Sequence, residues 1–169
     1  KDLYDALELG VNLYIRDRGL DPRADLTAAK AAAEELDALV DRLPRQSARS
    51  QEQQLFQQFS TPPNYAYAVA WAANIRPGET MLEPSAGTGN IAVHAMNAGA
   101  EVVVNELAPR RAELLRALGP ARVFTENAEQ LHNILPDEVR PTVVVMNPPF
   151  SQTAGRMGDR KDLMVGAQH

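Results

Sequence analysis

Thr80-Met81-Leu82-Glu83-Pro84-Ser85-Ala86-Gly87-Thr88-Gly89-Asn90 runs from a short apolar strand into a glycine-rich bend, and the residues from Asn90 to about Ala98 then read as a helix. The same alternation recurs downstream. Glu101-Val102-Val103-Val104-Asn105 is a second strand and Ala108 to Leu118 a second helix. Arg122-Val123-Phe124 is a third strand, followed by a short helix near Glu129 to Ile134, and Thr142-Val143-Val144-Val145-Met146 is a strongly β-branched fourth strand. Strands joined by crossover helices imply parallel pairing, so the pattern predicts an α/β fold with a doubly wound parallel sheet. No internal repeat is visible.

Upstream of that unit the character changes. Residues 1–44 are rich in Ala, Leu and acidic residues. Leu3, Leu7, Val11 and Tyr14 suggest the buried stripe of a first amphipathic helix, which Gly19 and Pro22 end. Asp25 is placed to cap a second helix with Leu26, Ala29, Ala33, Leu36, Val40 and Leu43 on one face, and Pro44 closes it. The pair reads as an N-terminal helical extension, a lid or packing element. Residues 45–64 read as a linker: a Gln-rich stretch with Leu55, Phe56 and Phe59 to bury, then the stiff Ser60-Thr61-Pro62-Pro63-Asn64. Residues 65–169 hold an apolar helix from about Tyr65 to Ile75, the turn at Arg76-Pro77-Gly78-Glu79, and the alternating unit.

Composition sets outer bounds. The chain has 169 residues, 44% of them hydrophobic, enough to bury a core. It has no cysteine, so disulfides and thiolate metal sites are excluded, in keeping with a reducing cytoplasm. No apolar run is long enough to span a membrane, and Lys1-Asp2-Leu3-Tyr4 lacks the layout of a secretory signal. The first residue is not Met and no closing element follows the last strand, as expected of a fragment. A net charge of −5 argues against tight autonomous binding to nucleic acid, although Arg42, Arg45 and Arg49, or Arg156, Arg160 and Lys161, could form local basic strips.

The bend carries the chemistry. Gly87 and Gly89 permit positive φ and let a ligand approach the backbone. A dinucleotide-binding bend of a Rossmann-like fold would place a pyrophosphate here, but Glu83 at its mouth would repel one. A carboxylate there suits a cation, and S-adenosylmethionine carries an ammonium and a sulfonium. Glu106, about 20 residues past the bend, is suited to ribose hydroxyls, or else is a solvent-facing carboxylate. Asn127 could accept the cofactor's adenine amine beside Ala128, or cap the helix that follows, or both. Asn147-Pro148-Pro149-Phe150 comes directly after the fourth strand. Its prolines fix the backbone and leave carbonyls without neighbouring N–H donors, which presents the Asn147 amide and the Pro148 carbonyl to a planar amine. Phe150 offers a face on which an extruded base can stack. His94, His132 and His169 are not spaced as metal ligands.

These residues resemble the class I S-adenosylmethionine-dependent methyltransferases, in particular the N6-adenine DNA methylases. Asn147-Pro148-Pro149-Phe150 is similar to that family's Asn-Pro-Pro-Tyr/Phe catalytic motif, and Glu83, Ser85, Ala86, Gly87, Gly89 and Asn90 lie in a segment similar to its motif I. Phe59-Ser60-Thr61-Pro62 resembles the segment that closes over the methionine end of the cofactor, and Glu106 corresponds to the ribose-binding acid. Asn127 stands where the family usually has Asp. The segment from Phe59 onward also resembles methylase domains fused to strawberry-notch-type helicases. The resemblance implies S-adenosylmethionine as cofactor, DNA as partner through parts mostly outside these residues, and direct methyl transfer to an exocyclic amine. It also implies more strands than the four seen here, so the isolated fragment is expected to be inactive. Guanine or adenine in RNA, or a protein glutamine amide, would fit the same loop. A non-catalytic cofactor-binding interaction module is the alternative from another class, and a nicotinamide oxidoreductase is disfavoured by Glu83.

Overall fold

A computed structural model of the chain describes residues 2–43 and 60–148. Phe59, Pro149 and Phe150, most of the Gln-rich linker, and the basic residues other than Arg42 in the two groups named above lie outside the described residues. The elements are α1 (Asp2–Arg18), α2 (Leu26–Val40), α3 (Pro63–Ala73), β1 (Thr80–Glu83), α4 (Ala92–Asn97), β2 (Glu101–Asn105), α5 (Pro109–Leu118), β3 (Arg122–Phe124), a 3₁₀ turn (Ala128–Gln130), α6 (Leu131–Ile134) and β4 (Val143–Val144).

The four strands form one parallel sheet in the order β3-β2-β1-β4. Val102, Val103 and Val104 are all buried, as expected of a central parallel strand covered on both faces. Ile91, Ala92 and Ala95 pack with Met81, Val102, Val104 and Leu115 in the main core. The chain adds β2 and β3 on one side of β1 and then crosses to place β4 on the other. The order therefore reverses between β1 and β4, and in open α/β sheets the binding crevice lies beyond the strand C-termini at such a reversal.

Local chemistry explains the helix ends. The Asp25 side chain accepts from the Ala28 backbone N–H, capping α2 as the sequence predicts. Pro63 opens α3 at its first turn, where the missing N–H costs nothing, and Asn74 ends it in the left-handed region at φ 52°.

α1 corrects an expectation. Of the stripe Leu3-Leu7-Val11-Tyr14, only Val11 is buried; Leu3 is 80% and Tyr14 47% exposed. The packed face is rotated onto Asp5, Val11, Asn12 and Ile15, and α1 lies across α4 and α5. Its apolar residues meet Tyr67, Val93 and Leu118 in a second core cluster. α2 packs on α3 through Ala29 and Leu36, while Leu26 is exposed. β4 is shorter than the predicted Thr142–Met146: Thr142 and Val145 still donate N–H bonds to Thr80 and Leu82, but Val144 and Met146 are exposed at the sheet edge.

Candidate active site at the β1/β4 reversal

Glu83 ends β1 with its carboxylate buried, and its Oε2 has no hydrogen-bond partner among the described residues. Desolvation pushes its pKa well above the ordinary carboxylate value; the Ala92 backbone N–H opposes the shift and the nearby Glu106 charge adds to it. A buried, half-satisfied carboxylate is costly to keep unless something cationic or hydrogen-bonding meets it.

The bend divides its two glycines between tasks. Among the described residues, a Cβ at Gly87, whose φ is 58°, would meet only the Arg111 Nη1, at 3.6 Å. Gly89, at φ 96°, is held by packing, since a Cβ would lie 2.6 Å from Leu118 Cδ2 and 2.9 Å from Leu115 Cδ2. Both glycines have the positive φ that the sequence predicts, and Gly89 in addition lets α5 pack against the bend. α4 also begins two residues later than expected, at Ala92, with Val93 N–H already bonded to the Gly89 carbonyl.

Glu106, one residue past β2, is buried rather than solvent-facing. Its Oε2 accepts from Gly87 N–H at 2.8 Å and its Oε1 from Ala108 N–H at 2.8 Å, which ties the end of β2 to the bend. Burial raises its pKa, against the Ala108 N–H, the Arg111 guanidinium and the Gly87 N–H. Asn127, after β3, accepts from Glu129 N–H at 3.1 Å, so it does cap the 3₁₀ turn; Asn127 and Ala128 are both exposed beside the strand ends.

Across the reversal, Asn147 Nδ2 donates to Thr61 Oγ1 at 2.9 Å, and the Thr61 carbonyl accepts from Asn90 Nδ2. The closing segment, the bend and the Asn-Pro loop are thus brought together. Ser85 is half-buried and Ala86 buried within the bend, while Pro62 and Pro148 are exposed at its rim.

Several residues of this region were missed by the sequence reading. Asn105, fully buried at the end of β2, donates to the Pro84 and Glu126 carbonyls at 3.0 and 2.9 Å and accepts from Glu126 N–H at 2.9 Å, fastening the loops after β1 and β3 together. α1 supplies a polar wall. Glu8 Oε2 accepts from Thr88 Oγ1 at 2.9 Å, Asn12 reaches the bend, and Asp5 pairs with the buried Arg111 at 3.3 Å. Burial raises the Glu8 pKa, opposed by hydrogen bonds from Ser60 and Thr88. Asp5, Glu8 and Asn12 follow one another by three and four residues, the spacing of one helix face; that polar stripe was the available signal. Exposed Leu107 follows Glu106 with nothing in the sequence to mark it.

A separate cavity of about 450 Å³, lined by residues including Pro22, Trp71 and Arg76, opens beside the turn into β1, away from these strand ends. Among the described residues no helix is long and apolar enough to cross a membrane.

No family model and no curated protein matches the sequence. Solved structures do. A provisionally named RNA methyltransferase, PH1948 from Pyrococcus horikoshii, is 24% identical, with a TM-score of 0.55 over 72% of this chain and 62% of its own. TrmN from Thermus thermophilus is 26% identical, with a TM-score of 0.48 over 59% of this chain and 32% of its own. A protein-L-isoaspartate O-methyltransferase covers 83% of this chain and 42% of its own at 14% identity and a TM-score of 0.34. The chain spans 62% of the length of the first of these. It has the Rossmann-like fold of a class I methyltransferase.

Proposed function

We propose that this chain is the cofactor-binding part of an S-adenosylmethionine-dependent methyltransferase that acts on an exocyclic amine, with adenine N6 of DNA as the first substrate to test. The observation that carries the reading is the bond between Asn147 Nδ2 and Thr61 Oγ1 beside the Glu83–Gly89 bend, at the crevice where the strand order reverses.

The residues present suit the cofactor. Glu83 offers a buried oxygen without a partner, Gly87 an open backbone, and Glu106 a carboxylate whose two oxygens each accept one N–H and retain acceptor capacity. Thr61 and Pro62 would close over the methionine end. Asn127 and Ala128 would flank the adenine. When bound, the cofactor supplies an electrophilic methyl group on its sulfonium.

The chain's own contribution is alignment and electrostatics. With Nδ2 engaged by Thr61, the free end of the Asn147 amide is its oxygen. That oxygen and the Pro148 carbonyl would accept the two amine hydrogens, turning the nitrogen lone pair toward the methyl group and stabilising the positive charge that develops on nitrogen. Asn147 and Pro148 would hold the nitrogen while it gained the methyl that the cofactor gives up and lost one amine proton to solvent.

Calorimetric titration with S-adenosylmethionine, S-adenosylhomocysteine and NAD tests the cofactor. Micromolar binding of the first two, weakened in Gly87→Val or Glu106→Ala, supports the reading; preferential binding of NAD overturns it. Transfer of labelled methyl to DNA, RNA and protein by the full-length protein then tests the substrate, and methylated RNA guanine or a methylated glutamine would replace adenine in DNA. Cofactor binding with no transfer to any of them would favour an interaction module.

A further inference from the structure

We propose that Asn12 of α1 is a positioning residue for the cofactor loop and, through Asn90 and Thr61, for the Asn147 amide. The roles of the loop and of the Asn147 amide rest on the methyltransferase reading; the bonds that hold them do not.

Asn12 is fully buried in the middle of α1, where an asparagine is a poor helix former and an unpaired amide would be costly. Its Nδ2 donates to the Thr88 carbonyl at 2.9 Å and to Asn90 Oδ1 at 2.8 Å. Both acceptors belong to the bend. Asn90 Oδ1 also lies 3.2 Å from Thr88 Oγ1, and Asn90 Nδ2 donates to the Thr61 carbonyl. Thr61 Oγ1 then accepts from Asn147 Nδ2.

Two backbone carbonyls fix the sense of this chain of bonds. The Thr88 carbonyl can only accept, so Asn12 must present its NH₂ there. The Thr61 carbonyl can only accept, so Asn90 must present its NH₂ there and its oxygen toward Asn12. Neither amide can flip without setting an oxygen against a carbonyl. Aspartate at either place would do the same, although its shape is unchanged. A helix more than 70 residues upstream therefore sets the orientation of the bend and of the segment beside Asn147. Glu8, bonded to Thr88 from the same face of α1, braces the bend from one turn away.

The test uses the full chain. Asn12→Leu keeps the branched outline, adds bulk and removes both donors; Asn12→Asp keeps the shape and size and removes the donor facing Thr88. Amide hydrogen exchange, read well below each variant's melting temperature, is expected to speed up by about tenfold or more at Ala86–Asn90 and at Thr61 while α2 is unchanged, as loss of a hydrogen bond of ordinary strength implies. The Kd for S-adenosylmethionine is expected to rise by about tenfold in the same variants. Uniformly faster exchange would reduce Asn12 to a packing residue, and wild-type exchange and Kd would overturn the proposal outright. Should neither variant fold, Thr61→Val and Thr61→Ser test the final link. In the full-length protein, methyl transfer lost in Val and restored in Ser is expected, and wild-type transfer in Val would sink it. If the wild-type protein binds no S-adenosylmethionine, the methyltransferase reading fails, and loop exchange still decides the role of Asn12.

Discussion

Gly87 and Gly89 sit two residues apart with positive φ, and substitution should separate what each does. Gly89→Ala drives a methyl into Leu115 and Leu118, on backbone that already disfavours a side chain. A loss of about 2–4 kcal/mol in urea denaturation is expected, from overpacking plus local strain. Gly87→Ala meets no close neighbour. It should cost only the left-handed penalty, about 1–2 kcal/mol, while weakening S-adenosylmethionine more than its stability loss explains. Equal stability losses would mean that the packing of the bend has been misread. Asn147→Ala is the complementary case. The residue is exposed, so the fold should be unaffected and cofactor affinity largely kept, but methyl transfer by the full-length protein should vanish in a labelled-methyl assay. Glu83→Gln removes a buried charge whose pKa burial has raised; it should raise the melting temperature at neutral pH while weakening binding of the cationic cofactor.

At the scale of elements, the local signals were strong where apolar residues made them and weak where polar residues did. β1, β2 and β3 fall where their apolar runs stand, and α5 starts one residue from its predicted place, because Pro109 is fixed at its first turn. β4 was overestimated because its β-branched run continues past the two residues that pair with β1. α1 was placed correctly and turned the wrong way. Its buried polar residues bond to a bend and a helix far along the chain, and such partners leave no trace in local periodicity. Asn105 escaped notice for the same reason, since its three bonds go to the loops after two other strands. Of the candidate site, Glu83, Gly87, Glu106 and Asn147 were singled out by their places at strand ends or in the bend, and Thr61 only by the family resemblance. The network that holds them was not. Asn105→Asp should therefore be severe for a substitution that adds no volume: it sets an oxygen against the Pro84 and Glu126 carbonyls, and a loss of about 2–4 kcal/mol in chemical denaturation is expected, with the loops after β1 and β3 exchanging faster together.

For the whole molecule, two kinds of buried titratable group pull stability in opposite directions with pH. His94 is fully buried against the Tyr67 ring, 5.3 Å between centroids, and among the described residues neither ring nitrogen makes a close hydrogen bond. Burial lowers its pKa to about 4, partly opposed by the backbone of Pro63 and Leu20. The unfolded chain then binds a proton between about 6.5 and 4 that the folded chain refuses, so stability is lost as pH falls through that window, by about 3 kcal/mol in all. Glu8, Glu83 and Glu106 have pKa values raised by burial. The folded chain holds their protons longer than the unfolded one, so stability from these groups is present below about 4.5 and is lost as pH rises through their folded values. The two trends oppose each other where they overlap, above about pH 4.5. Urea denaturation of wild type, His94→Leu and Glu83→Gln from pH 4 to 8 separates the limbs. His94→Leu should flatten the acid side and Glu83→Gln the other, each leaving its opposite in place. An acid limb that persists undiminished in His94→Leu would show that the histidine is not held neutral in the core. A limb above pH 4.5 that survives in Glu83→Gln would pass the cost of the site's acidity to Glu8 and Glu106.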